Sequence, residues 1–430
     1  MMRWHKSTAI AITLGFGAIG TGPTLAADLG VTPMAVKATP PPGAPSSWAV
    51  SFQSEVRWFS WENTRGYPTS IAPLSGNGKG TQLYMPMSLS VTGNPDSDWK
   101  LEFNLRGGYV SSNQATSGEH GSVSTPTDTQ ASGTVTYNGF NGFQPFVAML
   151  VNMPTGKSAL FGSSRFARMD GDLVSIATYG EGWNLGPSVG VNVPITQALM
   201  LTLSSGYTFR GKYKKEAASD PVSGLTNDVK NGDEVTVSAS LGYFQGAFSA
   251  LGSVSYSWDG VSQVDQPGMT DFAKYRSGPR LMITGFASYD WTDQWSTSVN
   301  GFWMHSQKND VLDGSNNLIP ESLNSNSDMF QVGSELTYKM TNGLAVGPVA
   351  GILYRNKNAW SPTSGSFVPP KTRWSAGAKA TYNVTDKANI SARVEHVWIH
   401  ENEVPAAGAL YVPTMNGQAW QISLGGTAHF

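Results

Sequence analysis

From Ser47 to Phe430 one pattern recurs: apolar and small polar side chains alternate position by position, stop at a connection, and start again. A period of two is that of an extended strand, whose successive side chains point to opposite faces. Trp48, Val50, Phe52, Val56 and Trp58 alternate with Ser51, Gln53, Glu55 and Arg57. The chain finishes the same way. Trp420, Ile422, Leu424, Gly426, Ala428 and Phe430 share one face, and Gln421, Ser423, Gly425, Thr427 and His429 the other. Sixteen such segments occur, at roughly 47–61, 80–92, 97–112, 128–138, 142–153, 182–194, 197–211, 232–244, 247–258, 275–290, 294–308, 326–340, 343–356, 371–384, 388–400 and 418–430. Each reaches or exceeds the roughly 9–11 residues that a tilted strand needs to cross a bilayer.

The connections fall into two kinds that alternate strictly. The short ones are Gly93–Asp96, Gly139–Asn141, Ile195–Thr196, Gln245–Gly246, Trp291–Asp293, Thr341–Asn342 and Thr385–Lys387. The long ones are 62–79, 113–127, 154–181, 212–231, 259–274, 309–325, 357–370 and 401–417. Seven turns and eight loops put both ends of a sixteen-strand array on the turn side, the rhythm of a transmembrane barrel. Three turns share their chemistry, each running from Tyr289, Tyr338 or Tyr382 into Thr-Asp or Thr-Asn. The Tyr suits an interfacial aromatic belt, and Asn or Asp accepts the backbone of a tight hairpin. A soluble sandwich also alternates, but it has no cause for the long-short rhythm or for a polar face so rich in Ser, Thr, Gly and Asn. The 48 Gly, the 14 Trp and a charged fraction of only 13% agree with the barrel. With no Cys, neither a disulfide framework nor a thiolate metal site is available. The fold class expected is all-β: one antiparallel transmembrane barrel of about sixteen strands, with twelve to fourteen as the lower count.

Ahead of the strands, Arg3 and Lys6 precede the apolar run Ala9–Ala18, and Thr24-Leu25-Ala26-Ala27 follows. That is the order of a cleaved export signal, and the run is too short to span a membrane as a helix. The expected organisation is a signal peptide at 1–27, a Pro-rich periplasmic leader at 28–46 and a barrel at 47–430. Removing Arg3 and Lys6 from the 28 basic residues leaves 26 against 30 acidic ones, a net charge near −4. Nothing in that balance points to a nucleic-acid partner.

Strand parity places the expected pore-lining charges at Glu55, Arg57, Lys100, Glu102, Arg106, Arg210, Glu234, Arg280, Glu335, Lys339, Arg373, Lys379, Arg393 and Glu395. Nine are basic and five acidic, so a field favouring anions is expected, or else pairs across neighbouring strands that stiffen the wall. The longest loop, 154–181, carries Lys157, Arg165, Arg168, Asp170 and Asp172, and is the candidate to fold inward as a constriction. Gly156-Lys157-Ser158 lacks the first glycine of a phosphate-binding loop, because Val151 stands there. His396 and His400 lack the further ligands of a metal site. His396, with Glu395 beside it, is the one residue nameable for rim-sited hydrolysis. No cofactor and no metal is expected.

A final strand ending in Phe430 resembles the last strand of Gram-negative outer-membrane barrels, where the assembly machinery reads that residue. Phe143–Pro154 and the stretch Gly180–Pro194 are similar to alphaproteobacterial outer-membrane transporter-like barrels. The opening Pro154-Thr155-Gly156 of the long loop resembles the MetA-pathway phenol-degradation family. These likenesses cover about a quarter of the chain. They imply a place in the cell outer membrane and passage of small compounds, aromatic ones among them. The expectation is a porin-like pore or transporter for passive passage of small solutes, with a mild anion preference. The alternative is a barrel anchor for a rim-active hydrolase or a surface adhesin. The partners expected are outer-membrane lipid, the assembly machinery, small solutes and further copies of the chain in a homo-oligomer.

Overall fold

The computed structural model describes residues 48–65, 77–116, 119–171, 174–216, 225–265, 273–313, 315–340, 342–364, 366–405 and 412–430. The expected signal and leader lie outside the described residues, as does Asp172. All sixteen expected barrel strands form. They span Trp48–Asn63, Gly78–Gly93, Trp99–Thr116, Thr129–Tyr137, Gln144–Met153, Asn184–Pro194, Leu199–Arg210 and Glu234–Gln245 in the first half. Phe248–Asp259, Arg280–Asp290, Trp295–Ser306, Met329–Lys339, Leu344–Arg355, Lys371–Thr385, Ala388–Glu401 and Met415–His429 make the second. Each pairs antiparallel with the next. The last strand pairs with the first from Ser51↔His429 to Asn63↔Gly417, so the sheet closes on itself. Closure leaves no unpaired edge, the condition for strands to exist in hydrocarbon.

The outward face is the apolar one. Trp48, Phe52, Val56 and Trp58 are exposed on the first strand, and Trp420, Ile422, Leu424 and Phe430 at the other end of the chain. Aromatic rings gather in two belts. On the turn side Trp99, Tyr137, Phe140 and Phe143 stack in sequence with centroids 4.8–4.9 Å apart. Trp295 there meets Tyr338 at 4.7 Å. Eight residues further along the same pair of strands, Trp303 stands opposite Phe330. At ~3.3 Å per residue that is about 26 Å along the strand, comparable with the apolar band of about 25 Å that barrels of this kind present to lipid. The two-residue turn between Gln245 and Phe248 needs Gly246 at φ +60°, where a Cβ is strained.

Two expectations about connections are corrected. Residues 113–127 are not an irregular loop: the third strand runs on to Thr116, and Glu119–Pro126 folds back along its upper half. Pro126 has no successor in that ladder, and after Thr127-Asp128 the wall resumes at Thr129. The segment expected at 275–290 is two strands. Pro279 has no N–H for the ladder, so the barrel strand begins only at Arg280. Ala273–Arg276 instead joins a second, six-stranded sheet with Lys212–Glu216, Thr226–Lys230, Ser262–Asp265, Asp310–Leu312 and Leu318–Pro320. This sheet continues one side of the wall above the loop-side rim.

Candidate functional site

The inward face is a lattice of small polar groups. Hydroxyl pairs Ser204–Ser238 and Ser249–Ser288 meet at 2.6 Å, and Ser253–Thr284 at 2.7 Å, each across neighbouring strands. The expected charges share that face, and most of them pair within the wall. Arg57 reaches Glu55 at 2.7 Å, Lys100 reaches Glu102 at 2.9 Å, and Arg393 reaches Glu395 at 2.6 Å. Lys379 holds Glu335 at 3.0 Å. Glu234 is nearly buried between Arg210 at 2.5 Å and Arg280 at 2.8 Å, and Asp259 lies 3.3 Å from Arg210. Arg106 bonds Gln130, and Arg373 bonds Gln421 at 3.3 Å. Lys339 sits at the turn-side rim, 3.3 Å from Asp290, with both side chains well exposed.

Loop 154–181 lies across the interior. Its two ends are pinned together first. The Asp128 carboxylate accepts from the backbone N–H of Gly156 at 2.9 Å, that of Glu181 at 2.7 Å, and Asn152 Nδ2 at 2.8 Å. A Cβ on Gly156 would fall 1.9 Å from the Tyr179 carbonyl oxygen, so only glycine closes this neck. Beyond the neck, the chain contacts the inward faces of strands from both ends of the sequence. Gln82 brackets Ile176, donating to its carbonyl at 2.8 Å and accepting from its N–H at 3.2 Å. Gln114 donates to the Phe166 carbonyl at 3.0 Å, and Trp61 Nε1 to Met169 Sδ at 3.4 Å.

Two apolar clusters seat the loop. Met169 and Val174 pack with Phe59, Trp61, Val397, Ile399, Met415 and Ala419. Leu160, Ala167 and Tyr179 pack with Tyr84, Val110 and Val123. Asp170 is buried against Lys371, whose ammonium also lies 3.1 Å from Glu401. Arg65 closes the cluster, 2.8 Å from Glu401, and Arg355 stands 3.8 Å from it. Three cations thus meet two carboxylates, all buried. On the opposite side Arg168 makes a two-pronged bond to Glu216, at 2.6 and 3.1 Å, and donates to the Ser158 carbonyl at 2.8 Å. Burial opposes ionisation of Glu216, but hydrogen bonds from Arg168, its charge and the Leu160 N–H hold the carboxyl below its ordinary value.

Of the expected loop residues, Arg168 and Asp170 are therefore anchors. Arg165 lies over the Phe166 ring at 4.3 Å and Lys157 is exposed. Arg65, Lys371, Arg355, Glu401, Glu216 and Asp128 were missed by parity because each lies at a strand end or beyond it. One signal was present. Phe59, Trp61, Val397 and Ile399 are large apolar residues on a face that is otherwise mostly small and polar, which marks something packed against that patch.

Between the seated loop and the strands Asn184–Met329 a cavity of about 740 Å³ remains. Arg168, Arg210, Lys215, Arg280 and Arg355 line it together with Glu181, Glu216 and Asp259. Burial and the nearby Glu181 push Tyr213, also in this wall, up to about 12, so it stays a neutral phenol. His396 is elsewhere. It packs on the outward face between Trp398 and Trp420, at 4.5 and 4.7 Å, while Glu395 points inward, so the two do not form one site. His400 bonds Asn416 and Asn402.

Residues 244–359 match the model of the family described as "Putative MetA-pathway of phenol degradation". The match falls on the eighth to thirteenth strands, not on the stretch around the long loop that carried the likeness in sequence. No curated protein sequence matches the chain. Among solved structures, a Pseudomonas aeruginosa FadL homologue aligns at 9% identity over 89% of this chain and 90% of its own, with a TM-score of 0.42. The outer-membrane channel DcaP of Acinetobacter baumannii aligns at 12% identity over 89% and 97%, with a TM-score of 0.40. An outer-membrane channel from Pseudomonas putida F1 aligns at 14% identity over 66% and 95%, with a TM-score of 0.36. Over about a quarter of its length, then, the chain is similar to that phenol-degradation family.

Proposed function

We propose that the protein is an outer-membrane pore for passive passage of small solutes, with a mild anion preference. One observation carries the reading: the in-folded loop occupies one side of the barrel and leaves a polar cavity, charged on both its walls, along the other. An anchor has no need of a narrowed wet interior. An apolar outward face between two aromatic belts supports a place in lipid. Four arginines and Lys215 against three carboxylates in the cavity wall support a field for anions, weakened because wall pairing offsets much of the charge.

Planar-bilayer recording tests this. The wild-type protein gives conductance steps with a modest anion preference. Arg280→Ser leaves Glu234 and Asp259 with one cation fewer, so selectivity moves toward cations. A silent bilayer, or a selectivity that Arg280→Ser leaves unchanged, overturns the proposal.

A further inference from the structure

Above the loop-side aromatic belt, the second sheet turns a basic face outward. Cross-strand partners share a face, and Tyr213, Val229, Val264 and Tyr275 face the lumenal cavity. The opposite parity faces away from the lumen, except at the strand end Glu216, which turns in to Arg168; it includes Lys214 opposite Asp228. Lys212 stands opposite Lys230, Lys230 opposite Gln263, and Gln263 opposite Lys274, a row of three lysines across four strands just beyond the barrel rim. Like charges directly opposite each other destabilise a sheet. Asp265, 3.4 Å from Lys212, relieves one end of the row. The described residues offer the Lys230 ammonium no hydrogen-bond or ion-pair partner.

Lys230 overhangs a recess of about 840 Å³ on the outer side of the wall. Arg276, half exposed and 3.1 Å from Asp310, lines the same recess, as do Tyr207, Tyr256 and Trp258 below. Asp233 also lines it, but its carboxylate is engaged by the Tyr207 hydroxyl and the Arg210 N–H, both at 3.0 Å. Cations above, the rings of Tyr207, Tyr256 and Trp258 at headgroup depth level with Val235 and Val237, and the apolar Val254, Ile283 and Leu241 further down the outward face follow the order of a lipid's layers.

We propose that this recess binds an outer-leaflet lipid whose headgroup carries a phosphate with no cation of its own to balance it. Lys230 and Arg276 hold the phosphate, the rings flank the glycerol or sugar, and the acyl chains run down the wall. The inference rests on the membrane reading above. It is tested by native mass spectrometry of the full chain, released from a neutral detergent and mixed with phosphatidic acid or phosphatidylcholine of the same chains. Two cations at about a factor of five each predict about 25-fold better retention of phosphatidic acid. Lys230→Ser, which breaks no ion pair among the described residues, loses about fivefold, and Lys230→Ser with Arg276→Ser loses the preference altogether. Equal retention of the two lipids overturns the proposal, as do variants that bind like wild type. Full displacement of the lipid by excess inorganic phosphate overturns it too, because the site is then one for free anions. Both side chains point away from the lumen, so the variants conduct like wild type. A silent wild-type bilayer condemns the pore reading and leaves the lipid result standing.

Discussion

At the scale of single residues, the interior departs from a wet wall where charge has been buried. Asp170 and Lys371 are each nearly inaccessible, and Glu401 needs Lys371, Arg65 and Arg355 around it. A buried pair contributes little net stability, but removing one partner strands the other at a cost of about 3–5 kcal/mol. Lys371→Met removes the ammonium that lies between Asp170 and Glu401 and weakens the seat of loop 154–181 by that order. Protease added to the intact barrel should then cut within the loop and spare the wall. Adding Asp170→Leu restores much of the protection, because an apolar pair of similar volume tolerates the site. If Lys371→Met is cut no faster than wild type, the cluster does not anchor the loop. None of this was legible from parity. Lys371 opens its strand and Arg65 lies past the end of another, where alternation says nothing about direction.

At the scale of elements, long alternating runs were readable because each carries one signal of period two over nine or more residues. The second sheet was not, because its strands are three to five residues long and the chain leaves the barrel at Gly278-Pro279. The inward fold of loop 154–181 was half readable. Its own apolar residues have no period, while the apolar patch at Phe59, Trp61, Val397 and Ile399 advertised a partner without naming it. The loop's second attachment, Arg168 to Glu216, titrates. A carboxyl held below its ordinary value stabilises the seated loop fully above that ordinary value, about 4.3. The stabilisation is lost as pH falls through the lower folded value. Single-channel recordings should thus show loop-dependent current noise rising in acid, below about pH 4. Glu216→Gln should show the noise already at neutral pH, with little further change in acid. Noise that rises in acid identically in wild type and Glu216→Gln assigns the effect to another group.

At the scale of the whole molecule, everything depends on the first and last strands finding each other across 350 residues of sequence. Thirteen residue pairs join them, and Phe430 adds only the rim: its N–H donates to the Val50 carbonyl at 2.9 Å, and its carbonyl accepts from the Val50 N–H at 3.4 Å. Its ring is 72% exposed, so it fills no core. Deleting it costs one or two hydrogen bonds, of order 1 kcal/mol each. That is small against a ladder of this length. A role in assembly therefore predicts a dissociation between two measurements. The yield of inserted barrel in cells falls severely, while the same variant refolded into detergent resists denaturation almost as wild type does. Ser423→Ala or Thr427→Ala, altering inward positions on the same strand, should lower neither. Equal yields of wild type and the deletion would remove any signalling role from Phe430. A loss of stability as large as the loss of yield would make it an ordinary closing contact.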